Sequence, residues 1–390
     1  MVITDIYDLE RLARKRLPKS IYTYFANGGY EEETLRRNIA DLRKFVLVPH
    51  VLNDVSERSI EGTMAGMRVS MPVGLAPVGA CGLSYPNAEV EAALAAKEAG
   101  VPFCLSTVSI ATIEDVARAT RAPFWFQLYL MKDKKVGEAL VERAKQAGVS
   151  AIVLSMDLHV RSQRHGEQKR GIGAPPRVDL TNIVDALVHF RWLLSMVRSK
   201  RRTFGNLIGL VPHAKNVGKV TEWLEEQFDP TLSTKDIDWA RNVWPHKLLV
   251  KGVLSADDAK QCFDHGADGI IVSNHGGRQV DGAVSTVSVL AEIVDAVGGR
   301  GDVIVDSGIR SGVDVLKMLA LGATGCLIGR AYVYGLSANG REGVQKALSI
   351  IRKELDQNMA LCGLTNLKNI PRDIIRVQEG AELRNPAIHF

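Results

Sequence analysis

The chain has 390 residues, 46% hydrophobic and 24% charged, with a formal net charge of +5. These are the proportions of a soluble globular protein that can bury a large core, in one big α/β domain or two or three ordinary ones. The mild positive balance, with no arginine–aromatic recognition motif, argues against a nucleic-acid partner, and no apolar run of about 18 residues suggests a membrane-spanning helix.

The cysteines, Cys81, Cys104, Cys262, Cys326 and Cys362, are scattered, odd in number and form no C-x-x-C pair. Neither disulfides nor a zinc or other metal site is expected, and a reducing, cytoplasmic compartment suits them better. The first residues lack the basic-then-apolar order of a secretory signal.

Residues 5–44 read as helical. An amphipathic segment opens at Asp5-Ile6 and breaks at Leu17-Pro18; a second runs through Tyr22-Thr23-Tyr24-Phe25 and stops at Asn27-Gly28-Gly29. From residue 72 short β-rich runs alternate with helical ones. The predicted strands are 72–79, 102–107, 123–130, 150–157, 246–253, 266–274, 302–308 and 323–330. The predicted helices between and after them are 88–100, 112–120, 134–148, 235–244, 255–266, 287–298, 311–322 and 340–363. Strands alternating with helices imply a parallel sheet, and eight such units imply a (β/α)8 TIM barrel. The whole chain, 1–390, reads as one domain: a helical N-terminal extension, a barrel over about 70–365 and an insertion over about 165–235.

That insertion follows the fourth strand and leaves roughly ninety residues before the fifth, far beyond an ordinary loop. Residues 190–202, FRWLLSMVRSKRR, mix apolar and basic side chains without an acid. The composition suits a segment lying on an anionic membrane surface, with Trp192 and its leucines as anchors. The plainer reading is a solvated basic helix packed on the barrel.

In a barrel, chemistry belongs at the carboxyl ends of the strands. There the sequence places Pro77, Val78 and Gly79; Ser106 and Thr107; Gln127 and Tyr129; Ser155 and Asp157, with Arg164 seven residues on; Lys251; Ser273 and His275; Asp306, Ser307, Gly308, Ile309 and Arg310; and Gly329 and Arg330. The sixth of these ends, Ser273–Asp281, reads SNHGGRQVD. His275 can move a proton near neutral pH, and Arg278 can hold a carboxylate with two prongs. Together they suit an enzyme acting on a small organic acid. Asp157 is placed to stabilise the His275 imidazolium. Gly308 and Gly329 allow close backbone approach, while Arg310 and Arg330 supply charge, at the two strand ends where barrels commonly bind phosphate. Lys251 puts a cation in the middle of the site; if a flavin is bound, that charge would stabilise the anionic reduced ring. No Gly-x-Gly-x-x-Gly follows a strand, so a nicotinamide cofactor is disfavoured.

Leu17-Pro18-Lys19 with Tyr24, Ala76-Pro77, Leu105-Ser106-Thr107, Phe126-Gln127-Leu128-Tyr129, Ser273–Asp281 and Asp306–Arg310 with Gly329-Arg330 together resemble the FMN-dependent L-2-hydroxy acid dehydrogenases and oxidases, over about residues 5–365. Bacterial L-lactate dehydrogenase and (S)-mandelate dehydrogenase are the nearest in pattern. The resemblance implies FMN as cofactor and oxidation of an L-2-hydroxy acid, above all L-lactate, to the 2-oxo acid. It makes His275 the base, oriented by Asp157. Arg164 and Arg278 would hold the substrate carboxylate with help from Tyr24, and Tyr129 would contact the substrate hydroxyl. Pro77, Val78, Gly79, Ser106, Gln127, Ser155, Lys251 and Ser273 would line the flavin. Asp306, Ser307, Gly308, Ile309 and Arg310, with Gly329 and Arg330, would take its ribityl chain and phosphate.

Further expectations follow from the same resemblance. Electrons would pass to a quinone or cytochrome, with peripheral membrane contact through residues 179–210 on the cytoplasmic face of the inner membrane. Relatives are often tetramers, so a homo-oligomer is expected. A soluble oxidase using oxygen, a mandelate dehydrogenase and a non-catalytic barrel binding a phosphorylated ligand are the alternatives. Two departures from the family pattern stand out. Ser155 replaces a common threonine, and Arg161-Ser162 stands where an uncharged residue and a glycine are usual. Arg161 either turns to solvent or reshapes the pocket for a substrate with a second polar or anionic group.

Overall fold

The computed structural model describes residues 2–173, 179–212, 214 and 216–378. Three helices precede the barrel: α1 (Ile6–Arg16), α2 (Lys19–Ala26) and α3 (Glu33–Lys44). Asp5 and Asp8 form a capping box at the start of α1. It ends where Pro18 can no longer continue it.

Eight parallel strands follow: β1 (Val73–Leu75), β2 (Cys104–Ser106), β3 (Trp125–Leu128), β4 (Ala151–Ser155), β5 (Lys247–Val253), β6 (Gly269–Val272), β7 (Asp302–Val305) and β8 (Gly325–Ile328). Each lies within a predicted run. Their order in the sheet is sequential, with β8 beside β1. A bridge between Leu75 and Phe103, with Leu75 N donating to Pro102 O at 2.8 Å, joins β1 to β2 and closes the barrel. Between and after the strands run the helices α4 (Ala88–Ala99), α5 (Ile113–Thr120), α6 (Lys134–Gln146), α7 (His165–Lys169), α8 (Leu180–Val188), α9 (Phe190–Met196), α10 (Val217–Gln227), α11 (Thr234–Val243), α12 (Ala256–Asp264), α13 (Thr286–Val297), α14 (Gly312–Ala320) and α15 (Arg330–Leu361). Of these, α7–α10 belong to the insertion.

The barrel interior is an apolar cluster of Ala76, Cys104, Trp125, Ala151, Val153, Leu249, Ile271, Ile304 and Leu327. Side chains alternate along a strand with a period of two. The residue two positions after the last interior one on each strand therefore also points inward, one layer closer to the carboxyl end. Those residues are Val78, Ser106, Gln127, Ser155, Lys251, Ser273, Asp306 and Gly329. The polarity change is a property of one layer, and each valine, leucine or isoleucine beneath it contributes about 1.5–3 kcal/mol by burial.

Three features differ from expectation. An antiparallel hairpin, Gly62–Met64 with Met67–Val69, stands before β1. Its Ala65-Gly66 turn has φ of +46° and +76°, the left-handed pair that two-residue hairpins need. Met64, Ala65 and Val69 join the interior cluster and plug the amino end of the barrel. The predicted final helix, 340–363, is the second half of α15, whose backbone leaves helical geometry at Asn339 and Gly340. Finally, Trp192 is not a free anchor: its Nε1 donates to Leu83 O at 3.0 Å and its ring is half-buried on the barrel. The exposed apolar surface lies instead along α8 and the remainder of α9. Leu180 is 79% exposed and Val188 70%, and Val184, Leu187, Phe190, Leu194 and Val197 are also exposed. Among the described residues no helix is long and apolar enough to cross a membrane.

Candidate active site

Loop 273–281 carries the centre of the site, and the N-terminal helices hold it in place. Asn274 and Asn38 of α3 exchange side-chain amide hydrogen bonds of 2.6 and 2.8 Å, both buried. Asp281 accepts from the backbone N–H of Glu31 and Thr34, each at 2.9 Å. Gly277 has φ +71°, and a Cβ there would lie 2.5 Å from Leu35 N, so only glycine lets the loop pass so close to α3. His275 itself has φ +59°, a left-handed conformation uncommon outside glycine and typical of strained functional positions.

That conformation aims His275 between two partners. Its Nδ1 is 3.0 Å from Asp157 Oδ2, and its Nε2 is 3.4 Å from the Tyr129 hydroxyl. The Ser273 hydroxyl accepts from Lys251 Nζ at 2.7 Å and from the backbone N–H of His275 at 3.1 Å. Lys251 Nζ stands 3.7 Å from Asp157 and 3.5 Å from Asp306. Burial drives the His275 imidazole below its ordinary range, opposed by the Asp157 carboxylate. Burial alone would raise Asp157, yet His275 and Lys251 hold its carboxyl well below the usual carboxylate range. Burial likewise disfavours the Lys251 ammonium, but Asp306 and Asp157 keep its pKa above the usual lysine value. The result is a neutral imidazole against a charged carboxylate, poised to take a proton at Nε2.

Across three strand ends runs a hydroxyl–amide–hydroxyl chain. Ser106 Oγ donates to Gln127 Oε1 at 3.1 Å, and Gln127 Nε2 donates to Ser155 Oγ at 3.1 Å. Thr107 donates through Oγ1 to Gln127 O at 2.7 Å and accepts from Tyr129 N at 3.1 Å, which fixes the Tyr129 backbone. The Tyr24 hydroxyl reaches Gly79 O at 3.3 Å, across from the Arg278 guanidinium 5.4 Å over its ring.

The arginines are arranged more specifically than the sequence suggested. Arg278 Nη1 donates to Tyr24 O at 2.9 Å and Asn27 O at 2.8 Å, and Nη2 donates to Glu167 Oε1 at 2.7 Å. Arg164 Nη1 lies 3.8 Å from the same oxygen, and its buried Nε has no hydrogen-bond partner. Burial and the neighbouring Arg278 push Arg164 down to about 10. Arg161 is not turned to solvent: it pairs with Glu225 of α10 and stands 3.6 Å from Glu167 Oε2.

At the seventh strand end, Ser307 Oγ donates to Asp306 at 2.7 Å, and Gly308 has φ +89°, where a Cβ would lie 2.5 Å from Asn38 O. Arg310 is buried, and its Nε lacks a partner. Ile309 is buried beside it. Arg330 is tied into the fold on several sides. Its guanidinium donates to the carbonyls of Phe25, Ala26, Asn27 and Gly276 over 2.8–3.1 Å, tying the end of α2 to loop 273–281. Gly329 is open: a Cβ there would meet only Val78 at 3.8 Å and Ala76 at 3.9 Å. Pro77, Val78 and Gly79 are partly exposed on the facing end of β1.

Sequence reasoning missed Glu167, which is fully buried, and the bracing pair Asn38–Asn274. Glu167 lies three residues after Arg164, one helical turn away, a spacing that signals an ion pair once a helix is assigned there. Nothing local marks Asn38 as the partner of a residue 236 positions later.

A family model described as FMN-dependent dehydrogenase matches residues 13–377. The chain is 43% identical over 376 residues to an L-lactate dehydrogenase of Caulobacter sp. (strain K31), covering 96% of this chain and 99% of that protein. A crystal structure of the monotopic membrane protein (S)-mandelate dehydrogenase superposes with TM-score 0.92 at 36% identity, covering 97% of this chain and 100% of the other. A mandelate oxidase solved with (S)-4-hydroxymandelic acid superposes with TM-score 0.83 at 34% identity, covering 95% and 98%.

Proposed function

The chain belongs to the FMN-dependent dehydrogenase family, and on that premise we propose that it oxidises a small L-2-hydroxy acid, L-lactate first, to the 2-oxo acid and passes the electrons to a membrane quinone or cytochrome. The observation that carries the chemistry is His275, half-buried between Asp157 and Tyr129 with Arg164 close by. When bound, FMN supplies the two-electron acceptor for the substrate C2–H bond.

The residues fit that cofactor. Buried polar groups of Ser106, Gln127, Ser155, Lys251 and Ser273 form one layer across the barrel mouth. The partnerless Nε of Arg310, beside Gly308 and the open Gly329, suits a phosphate. Pro77, Val78 and Gly79 would take one face of the ring. Asp306, Ser307 and Ile309 would take the chain that leads to the phosphate. Arg330 would act there through its hold on Gly276 and the end of α2.

In this reading Arg164 and Arg278 bind the substrate carboxylate, assisted by the Tyr24 hydroxyl. Tyr129 directs the substrate hydroxyl to Nε2 of His275. His275 takes the proton, and Asp157 stabilises the imidazolium that forms. Lys251, held by Ser273, would supply positive charge to the bound cofactor.

The exposed apolar faces of α8 and α9, with exposed Arg191, Arg198 and Lys200 alongside, support a peripheral membrane contact. Arg191 and its neighbours would face anionic lipid on the cytoplasmic side of the inner membrane. That placement favours a membrane acceptor over oxygen. A homo-oligomer completes the proposal, drawn from the family. The test is anaerobic bleaching of the yellow holoprotein by a panel of L-2-hydroxy acids, followed by air. Fast bleaching by L-lactate and slow return of colour in air support the dehydrogenase. Fast return of colour would make the protein an oxidase instead.

A further inference from the structure

Glu167 is a buried carboxylate that the reaction itself does not use. It sits on the short helix α7 with 0% exposure. Three guanidiniums surround it. Arg278 donates to Oε1 at 2.7 Å, Arg164 lies 3.8 Å from Oε1, and Arg161 lies 3.6 Å from Oε2. Oε2 accepts no hydrogen bond. Arg161 continues outward to Glu225 on α10, so the insertion is joined to the cluster. A buried charge is retained only when it is matched. Three arginines against Glu167 and Glu225 leave one positive charge unmatched.

We infer that Glu167 is a specificity-determining and positioning residue: it orients Arg278 and sets the charge of the carboxylate pocket to a single positive excess, so that the site selects singly charged 2-hydroxy acids over dicarboxylic ones. The inference rests on the reading that Arg164 and Arg278 bind the substrate carboxylate. Orientation comes first. Nη1 of Arg278 is committed to the carbonyls of Tyr24 and Asn27, and one Nη2 hydrogen is committed to Glu167. With one guanidinium edge fixed in this way, Nε and the second Nη2 hydrogen are left for a ligand. Charge comes second. Arg161 stands where a second substrate carboxylate would find a cation, but Glu167 and Glu225 occupy it. The departure of Arg161 from the family pattern therefore closes a salt bridge rather than opening a subsite.

The Glu167→Gln variant separates charge from geometry, because its amide oxygen still accepts from Arg278 Nη2. The readout is the change in flavin absorbance when the holoprotein binds pyruvate, a monoanion, or oxalate, a dianion, neither of which turns over. A single charge at this range shifts a neighbouring equilibrium by about ten- to a thousandfold. Glu167→Gln should move the oxalate-to-pyruvate affinity ratio towards oxalate by about tenfold or more. Arg161→Gln should move the ratio the opposite way. Glu167→Asp keeps the charge and should leave the ratio at the parental value, even if both affinities fall. An unchanged ratio in Glu167→Gln overturns the inference. If that variant does not retain flavin, Arg161→Gln decides: a ratio that stays put or moves towards oxalate overturns it. Arg278→Lys is the control for the underlying reading. If it leaves pyruvate and oxalate binding intact, the carboxylate assignment fails. If it weakens both while the Glu167→Gln ratio is unmoved, only the inference fails.

Discussion

Asp157 Oδ2 lies 3.0 Å from His275 Nδ1, while the other oxygen, Oδ1, is buried without a hydrogen-bond partner. The pair couples β4 to the loop after β6, and its electrostatics give a signed pH prediction. Burial holds the His275 pKa below its ordinary value and Asp157 partly restores it. The base works when neutral, so flavin reduction rises with pH through an acid limb lying below the ordinary imidazole value of about 6.5, then stays level at neutral pH. Asp157→Asn removes the upward influence. Its acid limb moves to still lower pH, and the rate on the plateau falls about a hundred- to ten-thousandfold. Stopped-flow reduction across pH checks both. A limb that moves upward would contradict the arrangement.

Arg278 uses three nitrogen–oxygen contacts that a lysine cannot reproduce, because lysine offers a point charge rather than a planar fork. Arg278→Lys should retain flavin and raise KM for L-lactate about tenfold or more, as expected for the loss of a charge-assisted bond of about 1.5–3 kcal/mol. An unchanged KM would remove Arg278 from substrate binding.

The α3–loop brace predicts a stability effect that carries over to activity. Asn38→Ala leaves the buried Asn274 amide without both of its reciprocal bonds. The expected cost is about 1–3 kcal/mol, seen as a lower denaturation midpoint with slower flavin reduction. Full activity with reduced stability would show that the loop does not depend on α3.

For the insertion, Leu187→Glu with Val188→Glu places two charges on an exposed apolar face. The variant should lose partition to anionic vesicles while turnover with a soluble dye acceptor stays unchanged. Persistent vesicle binding would move the contact elsewhere.

Much of this was legible in the chain. The eight strands were readable because each is a short apolar run with a turn signal after it. The polar layer was readable because alternation puts Ser106, Gln127, Ser155, Lys251 and Ser273 two residues beyond interior positions. What was not legible depended on long-range partners. Arg330 stands next to Gly329, and nothing local marks the carbonyls more than 300 residues earlier that its guanidinium bonds. Trp192 looks like a membrane anchor by composition, yet its indole N–H finds the Leu83 carbonyl. The plugging hairpin uses Ala65-Gly66, a weaker turn signal than Asn-Gly, and its strands are three residues each. Glu167 was hidden because its hydrogen-bonded partner Arg278 lies 111 residues later.

The most direct test is the rate of anaerobic flavin reduction by L-lactate in His275→Gln. Glutamine keeps a polar side chain at the site but cannot take the proton. The variant should hold FMN at normal stoichiometry, bind pyruvate, and show no measurable bleaching on the timescale on which the parent enzyme is fully reduced. Bleaching at a near-normal rate would show that the proton goes elsewhere and that the Asp157–His275–Tyr129 arrangement is not the catalytic one.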